Sequence, residues 1–188
     1  MSILSAIKFI YPTFMRILRI EVQNFRLLED VKVVLDEDTT LIVGRNNSGK
    51  TSFSEVFNKF LGSESCHFSP DDLSVNAYSK FKEALKLYTA YEKSKSDKEA
   101  VDEITKKEKA YKECIPAIVL GVFIEYEEKD DLSSLSKFLM DLDSSRKDLL
   151  ISCEYKIENP EKFFASYNKE ATTYKDDIKE FVKRNFEE

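Results

Sequence analysis

One octet constrains this chain more than any other stretch: Gly44-Arg45-Asn46-Asn47-Ser48-Gly49-Lys50-Thr51. Its form is G-x-x-x-x-G-K-T, and it uses two of the four glycines in 188 residues. The run before it, Thr39-Thr40-Leu41-Ile42-Val43, is short and apolar, as expected of a strand covered on both faces. After it, Phe53, Val56, Phe57, Phe60 and Leu61 put an apolar stripe on a helix that ends at Gly62. A buried strand, a bend bracketed by glycines and an amphipathic helix form the context in which this spacing cradles phosphate.

The physical reason is specific. A polyphosphate needs several backbone N–H groups aimed at one spot, and the φ/ψ values this demands suit glycine better than bulkier residues. Asn46, Asn47 and Ser48 form the curve, and Asn accepts unusual φ relatively well. The helix beginning near Gly49 adds its unpaired N–H groups and the positive end of its dipole. Lys50 supplies a point charge for the β- and γ-phosphates, and the Thr51 hydroxyl takes a Mg²⁺ position. Ser52 completes the candidate set. The expected ligand is a nucleoside triphosphate with Mg²⁺.

Two strands precede the octet. Leu18, Ile20 and Val22 alternate with Arg19 and Glu21, and Val31, Val33 and Leu35 share one side of a second run. They read as an antiparallel pair. Beyond a polar loop at 63–72, residues 75–113 are dense in Lys, Glu, Ala and Tyr and contain neither Gly nor Pro. Two long helices broken near Ser94-Lys95-Ser96-Asp97 are predicted there, one striped by Phe81, Leu85, Tyr88 and Tyr91, the other by Val101, Ile104 and Tyr111. So weak an amphipathic pattern predicts peripheral or projecting helices. Strands are expected at 117–126 and 149–157, a short helix at Asp131 to Leu142, and a helical tail after Asn159-Pro160.

Composition removes several classes of function. The formal net charge is −6, with 42% apolar and 12% aromatic residues, which fits a globular chain and not a disordered one. Acidity argues against blanket nucleic-acid binding. No apolar run approaches the roughly 18 residues of a membrane-spanning helix. Cys66, Cys114 and Cys153 lack the spacing of a disulfide framework or a zinc site, and His67 is the lone histidine. A reducing, cytoplasmic setting is the expectation, with no membrane partner.

From Ile20-Glu21-Val22-Gln23-Asn24-Phe25-Arg26 through the octet, the chain resembles the amino end of ABC-type ATPase heads of the SMC and RecF kind. Within that group the Gly-Arg-Asn-Asn-Ser-Gly-Lys-Thr wording is most similar to the OLD (overcoming lysogenization defect) family, which includes the GajA subunit of the Gabija anti-phage system. The resemblance is specific over residues 16–62 and loose from 63 to 188. It implies an α/β fold: a P-loop ABC-type half-head with an antiparallel β-subdomain and a helical insertion. The implied layout is an extension or misassigned start at 1–15, a P-loop lobe at 16–75, the insertion at 76–115, and strands and helices of the same ATPase domain at 116–188.

The resemblance also marks what is missing. Such heads carry a Walker B run of four apolar residues before Asp-Glu, and a Ser-Gly-Gly signature that completes a partner's site. This chain has no Gly-Gly pair, and Val122-Phe123-Ile124-Glu125 offers Glu without Asp and alternates like an antiparallel strand. The resemblance therefore implies a homo-oligomer and a partner domain or subunit that supplies those motifs. In OLD proteins the remainder carries a Toprim nuclease, so DNA enters as a partner of the full-length protein.

Arg26 is either a phosphate contact, as a basic residue near this loop is in ABC-type heads, or a surface arginine closing a turn. Arg45 has no assigned role. Asp71 and Asp72 either sense Mg²⁺ or form a plain turn after Pro70. The lysines between Lys80 and Lys112 are interleaved with Glu and favour a solvated face over a DNA stripe. His67 and the cysteines read as structural bystanders. Two other functions remain open beside an ATP-binding lobe: a nucleotide-dependent assembly module, and a small P-loop kinase. The second is disfavoured by the preceding strand pair and the lack of an Arg-rich lid.

Overall fold

Alternating apolar residues at Leu18, Ile20 and Val22 form the centre of β1 (Arg16–Phe25) in the computed structural model, which describes residues 15–62, 67–127, 130, 147–170, 174 and 177–185. The other strands are β2 (Leu28–Val34), β3 (Ile118–Glu125) and β4 (Asp148–Tyr155). The helices are α1 (Lys50–Leu61), α2 (Val75–Ser96), α3 (Val101–Cys114), α4 (Pro160–Glu170) and α5 (Ile178–Arg184), with a 3₁₀ turn at Pro70–Asp72. The predicted helix at Asp131 to Leu142 falls outside the described residues, as do Met1 to Phe14 and Cys66.

The chain divides into two units. The first comprises Met1–Gln23, Asp30–Cys66 and Val119–Glu154. It carries most of a four-stranded sheet in the order β2-β1-β3-β4, with β1 and β3 antiparallel. Ile20 faces Val122 and Val22 faces Leu120 across that pair, and all four are buried. These cross-strand apolar pairs are the unit from which such a sheet draws its stability. On β1's other side Arg19 lies 3.5 Å above the Phe123 ring and is ion-paired with Glu21 at 3.0 Å. α1 buries Val56 completely, whereas Phe53, Phe57, Phe60 and Leu61 of the predicted stripe are half-buried.

Residues 39–43 depart from expectation. They form no strand, and Leu41 and Val43 are 81% and 77% exposed. The apolar run sets an extended backbone, but burial on both faces requires strands at its sides. No strand among the described residues supplies them.

The second unit comprises Asn24–Glu29, His67–Ile118 and Tyr155–Glu188. Here α2 packs along α3 and also meets α4 and α5. The reading of α2 and α3 as peripheral is corrected by an aromatic core. Tyr88 lies 5.2 Å from both Tyr111 and Phe164, Tyr91 lies 5.2 Å from Tyr111, and Phe163 lies 5.1 Å from Phe181. Aromatic pairs at these separations add to the burial of their large surfaces. Small residues of α2 (Ala77, Ala84 and Ser94) are buried as well, so the apolar stripe understated the inward face. Val101, by contrast, is 76% exposed in the first turn of α3.

Candidate nucleotide-binding site

The octet spans the turn before α1 and the helix's first two residues. Gly49 is the N-cap of α1 at φ 89° and ψ 4°. Asn47 also has a positive φ, 61°, while Ser48 between them does not. Alternation of this kind is the backbone pattern from which anion-binding nests are built. A Cβ at Gly44 would come within 2.6 Å of the Ser48 Oγ, so the two ends of the loop approach closely. Gly44, Arg45, Asn46, Asn47 and Ser48 are exposed and Gly49 is buried.

The start of α1 differs chemically from the other helix starts. No side chain caps it, and its first turn holds no acidic residue. Among the other described α-helices, Ser74 caps α2, Asp102 and Glu103 open α3, Glu161 opens α4, and Asp177 caps α5. Each of those ends answers its own unpaired N–H groups or dipole with a local side chain. α1 has neither among its own first-turn residues.

Lys50 reaches back over the loop, its Nζ donating to the Gly44 carbonyl at 2.7 Å and the Arg45 carbonyl at 2.6 Å. The ammonium is thereby fixed across the nest. The Thr51 side chain is exposed, whereas Ser52 is buried. Among the described residues no group of three His, Cys, Asp or Glu side chains is arranged to hold a metal ion. A lone Thr51 hydroxyl fits a Mg²⁺ held mainly by phosphate oxygens, and does not fit an all-protein cage.

The family model of the AAA ATPase domain matches residues 15–188. The chain belongs to the AAA ATPase domain family. No curated protein and no solved structure matches it. An AAA ATPase domain binds nucleotide, typically with Mg²⁺. No described helix of the domain is long and apolar enough to cross a membrane.

The remaining candidates of this AAA ATPase domain are described by their own partners. Glu125 of the Walker B imitation ends β3, pairs in register with Arg16 of β1, and accepts from Arg16 Nε at 2.7 Å. It is an antiparallel strand end held by an ion pair. Arg26 lies in the second unit with φ 51°, and its Nε donates to Asp72 Oδ1 at 2.8 Å. Asp72 is fully buried, and its Oδ2 accepts from the Ser69 N–H and hydroxyl in a capping box. That arrangement matches the turn reading of Asp71 and Asp72. Asn24, at φ 58°, is a residue that sequence reasoning passed over. Its side chain donates to the Ala117 carbonyl at 2.7 Å and accepts from Lys80 Nζ at 3.3 Å. The available signal was an Asn, a residue type that accepts the left-handed region, at the end of an alternating strand. The Cys114 thiol is pushed up chiefly by burial. His67 is exposed.

Proposed function

We infer that this AAA ATPase domain binds Mg·ATP in the Gly44–Thr51 loop as the amino-terminal lobe of an OLD-like ATPase that serves DNA processing in anti-phage defence. The observation that carries the binding assignment is the nest at Asn47 and Gly49 opening onto a helix start free of acids and caps. Lys50 exchanges the Gly44 and Arg45 carbonyls for phosphate oxygens, and the loop N–H groups orient the anion. Mg²⁺, when bound beside Thr51, supplies charge neutralisation between phosphate oxygens. The OLD assignment rests on the wording of residues 16–62, and the nuclease and DNA contacts belong to parts outside this stretch.

Calorimetric titration with Mg·ATP tests the assignment. Lys50→Ala is expected to lose at least tenfold in affinity; wild-type affinity in that variant overturns it. Phosphate release by the chain alone is expected to be slow, because the described residues place no carboxylate cluster at the loop. An assembly role for the nucleotide is favoured by one feature, the exposure of Leu41 and Val43 beside the loop. Sedimentation with and without ATP separates the two readings, since only the assembly role predicts a nucleotide-dependent change of mass.

A further inference from the structure

A cavity of about 450 Å³ opens in the second unit. Its volume lies in the range of pockets that enclose small organic ligands. The walls include the rings of Phe81, Phe163 and Phe181, contributed by α2, α4 and α5. Flat aromatic walls favour a planar guest, which offset or edge contacts hold.

Two polar groups of α4 enter the same cavity. Lys162 and Ser166 stand four residues apart on one face of the helix and both line the space. Among the described residues neither the Lys162 ammonium nor the Ser166 hydroxyl has a hydrogen-bond or ion-pair partner. Lys156 and Glu158 also line the space and offset one another in charge, so Lys162 leaves the lining with a net positive charge, beside the neutral amides of Asn159 and Asn185. A cation and a neighbouring hydroxyl donor over aromatic walls match one chemistry: a planar aromatic body with an anionic substituent.

We propose that this cavity is a second ligand site, independent of the nucleotide loop, that takes a small aromatic anion, with Lys162 and Ser166 holding the anionic group and Phe81, Phe163 and Phe181 enclosing the ring.

The probe is 8-anilinonaphthalene-1-sulfonate, titrated into the full chain and read by fluorescence and calorimetry. One saturable site is expected. Lys162→Glu weakens it at least tenfold, and Ser166→Trp, which fills the space, abolishes it. Leu41→Lys, in the other unit's exposed apolar stretch, leaves it unchanged. Circular dichroism and thermal melts identify any variant that fails to fold, and Lys162→Gln, a surface change of little structural consequence, then decides with a smaller expected loss. The proposal is overturned by the absence of a saturable site, by wild-type binding in the folded Lys162 and Ser166 variants, or by loss of binding in Leu41→Lys alone.

Discussion

Arg26 and Asp72 are joined twice: the Arg26 Nε donates to Asp72 Oδ1 at 2.8 Å, and the Arg26 backbone N–H donates to the Asp72 carbonyl at 2.8 Å. Because Asp72 is fully buried and also caps the Ser69 turn, its loss strands several donors at once. Arg26 is one-third exposed, so water recovers part of its charge. Asp72→Ala is expected to cost about 2–3 kcal/mol, below the range for fully buried pairs. Asp72→Asn, which keeps a cap acceptor, loses less. Urea unfolding measures both; a loss for Asp72→Ala within the ordinary surface range, about 0.5 kcal/mol, refutes this role.

The two loop glycines are predicted to behave differently. Gly49 sits at φ 89°, where an L side chain costs about 1–2 kcal/mol, so Gly49→Ala lowers stability by that amount and weakens Mg·ATP binding. Gly44 has no such backbone demand, and the atom its Cβ meets is the rotatable Ser48 hydroxyl. Gly44→Ala is expected to change stability by less than about 1 kcal/mol. The reverse ranking in denaturant titrations contradicts the loop geometry.

Tyr111 offers a gain in stability. Its ring is fully buried among Tyr88, Tyr91 and Phe164, and its Oη has no hydrogen-bond partner. An unsatisfied buried hydroxyl is costly, so Tyr111→Phe is expected to stabilise the chain by about 1 kcal/mol at neutral pH. A loss of stability in a urea midpoint measurement shows that the hydroxyl is satisfied in solution.

The same residue sets an alkaline limit. Burial, more than the neighbouring Glu161 charge, raises the Tyr111 phenol above its ordinary value, and burial likewise raises Tyr88. The unfolded chain loses these protons first, near pH 10, while the folded chain retains them. Stability is therefore full below about pH 10 and falls as pH rises through the folded values. Tyr111→Phe flattens that fall, which melts at a series of alkaline pH values would reveal.

Much of the fold was legible because local pattern and final burial agree. In β1 the alternation of Ile20 and Val22 with Arg19 and Glu21 is the alternation of buried and half-exposed faces. The α2–α3 break at Ser94 to Asp97 and the stop at Gly62 were equally plain, since both rest on local chemistry. Residues 39–43 misled because burial is a property of neighbours, and Leu-Ile-Val looks the same with or without them. α2 misled in the other direction. Tyr88, Tyr91 and Tyr111 score as half-polar in a hydropathy stripe yet pack ring against ring, and Ala84 contributes by being small. In the octet, Asn47 takes the positive φ that its residue type allows. The Arg26–Asp72 link joins positions 46 apart and has no local signature.

The bare aliphatic side chains of Leu41 and Val43, a few residues ahead of an anion cradle, bear on how the protein is handled. Ammonium sulfate strengthens the tendency of such side chains to cluster, and the dianion it delivers competes for the amide groups that a nucleotide would use. Preparations precipitated or stored in that salt should therefore clump and titrate with apparently weak nucleotide affinity, whereas chloride buffers of the same ionic strength should restore both dispersion and affinity.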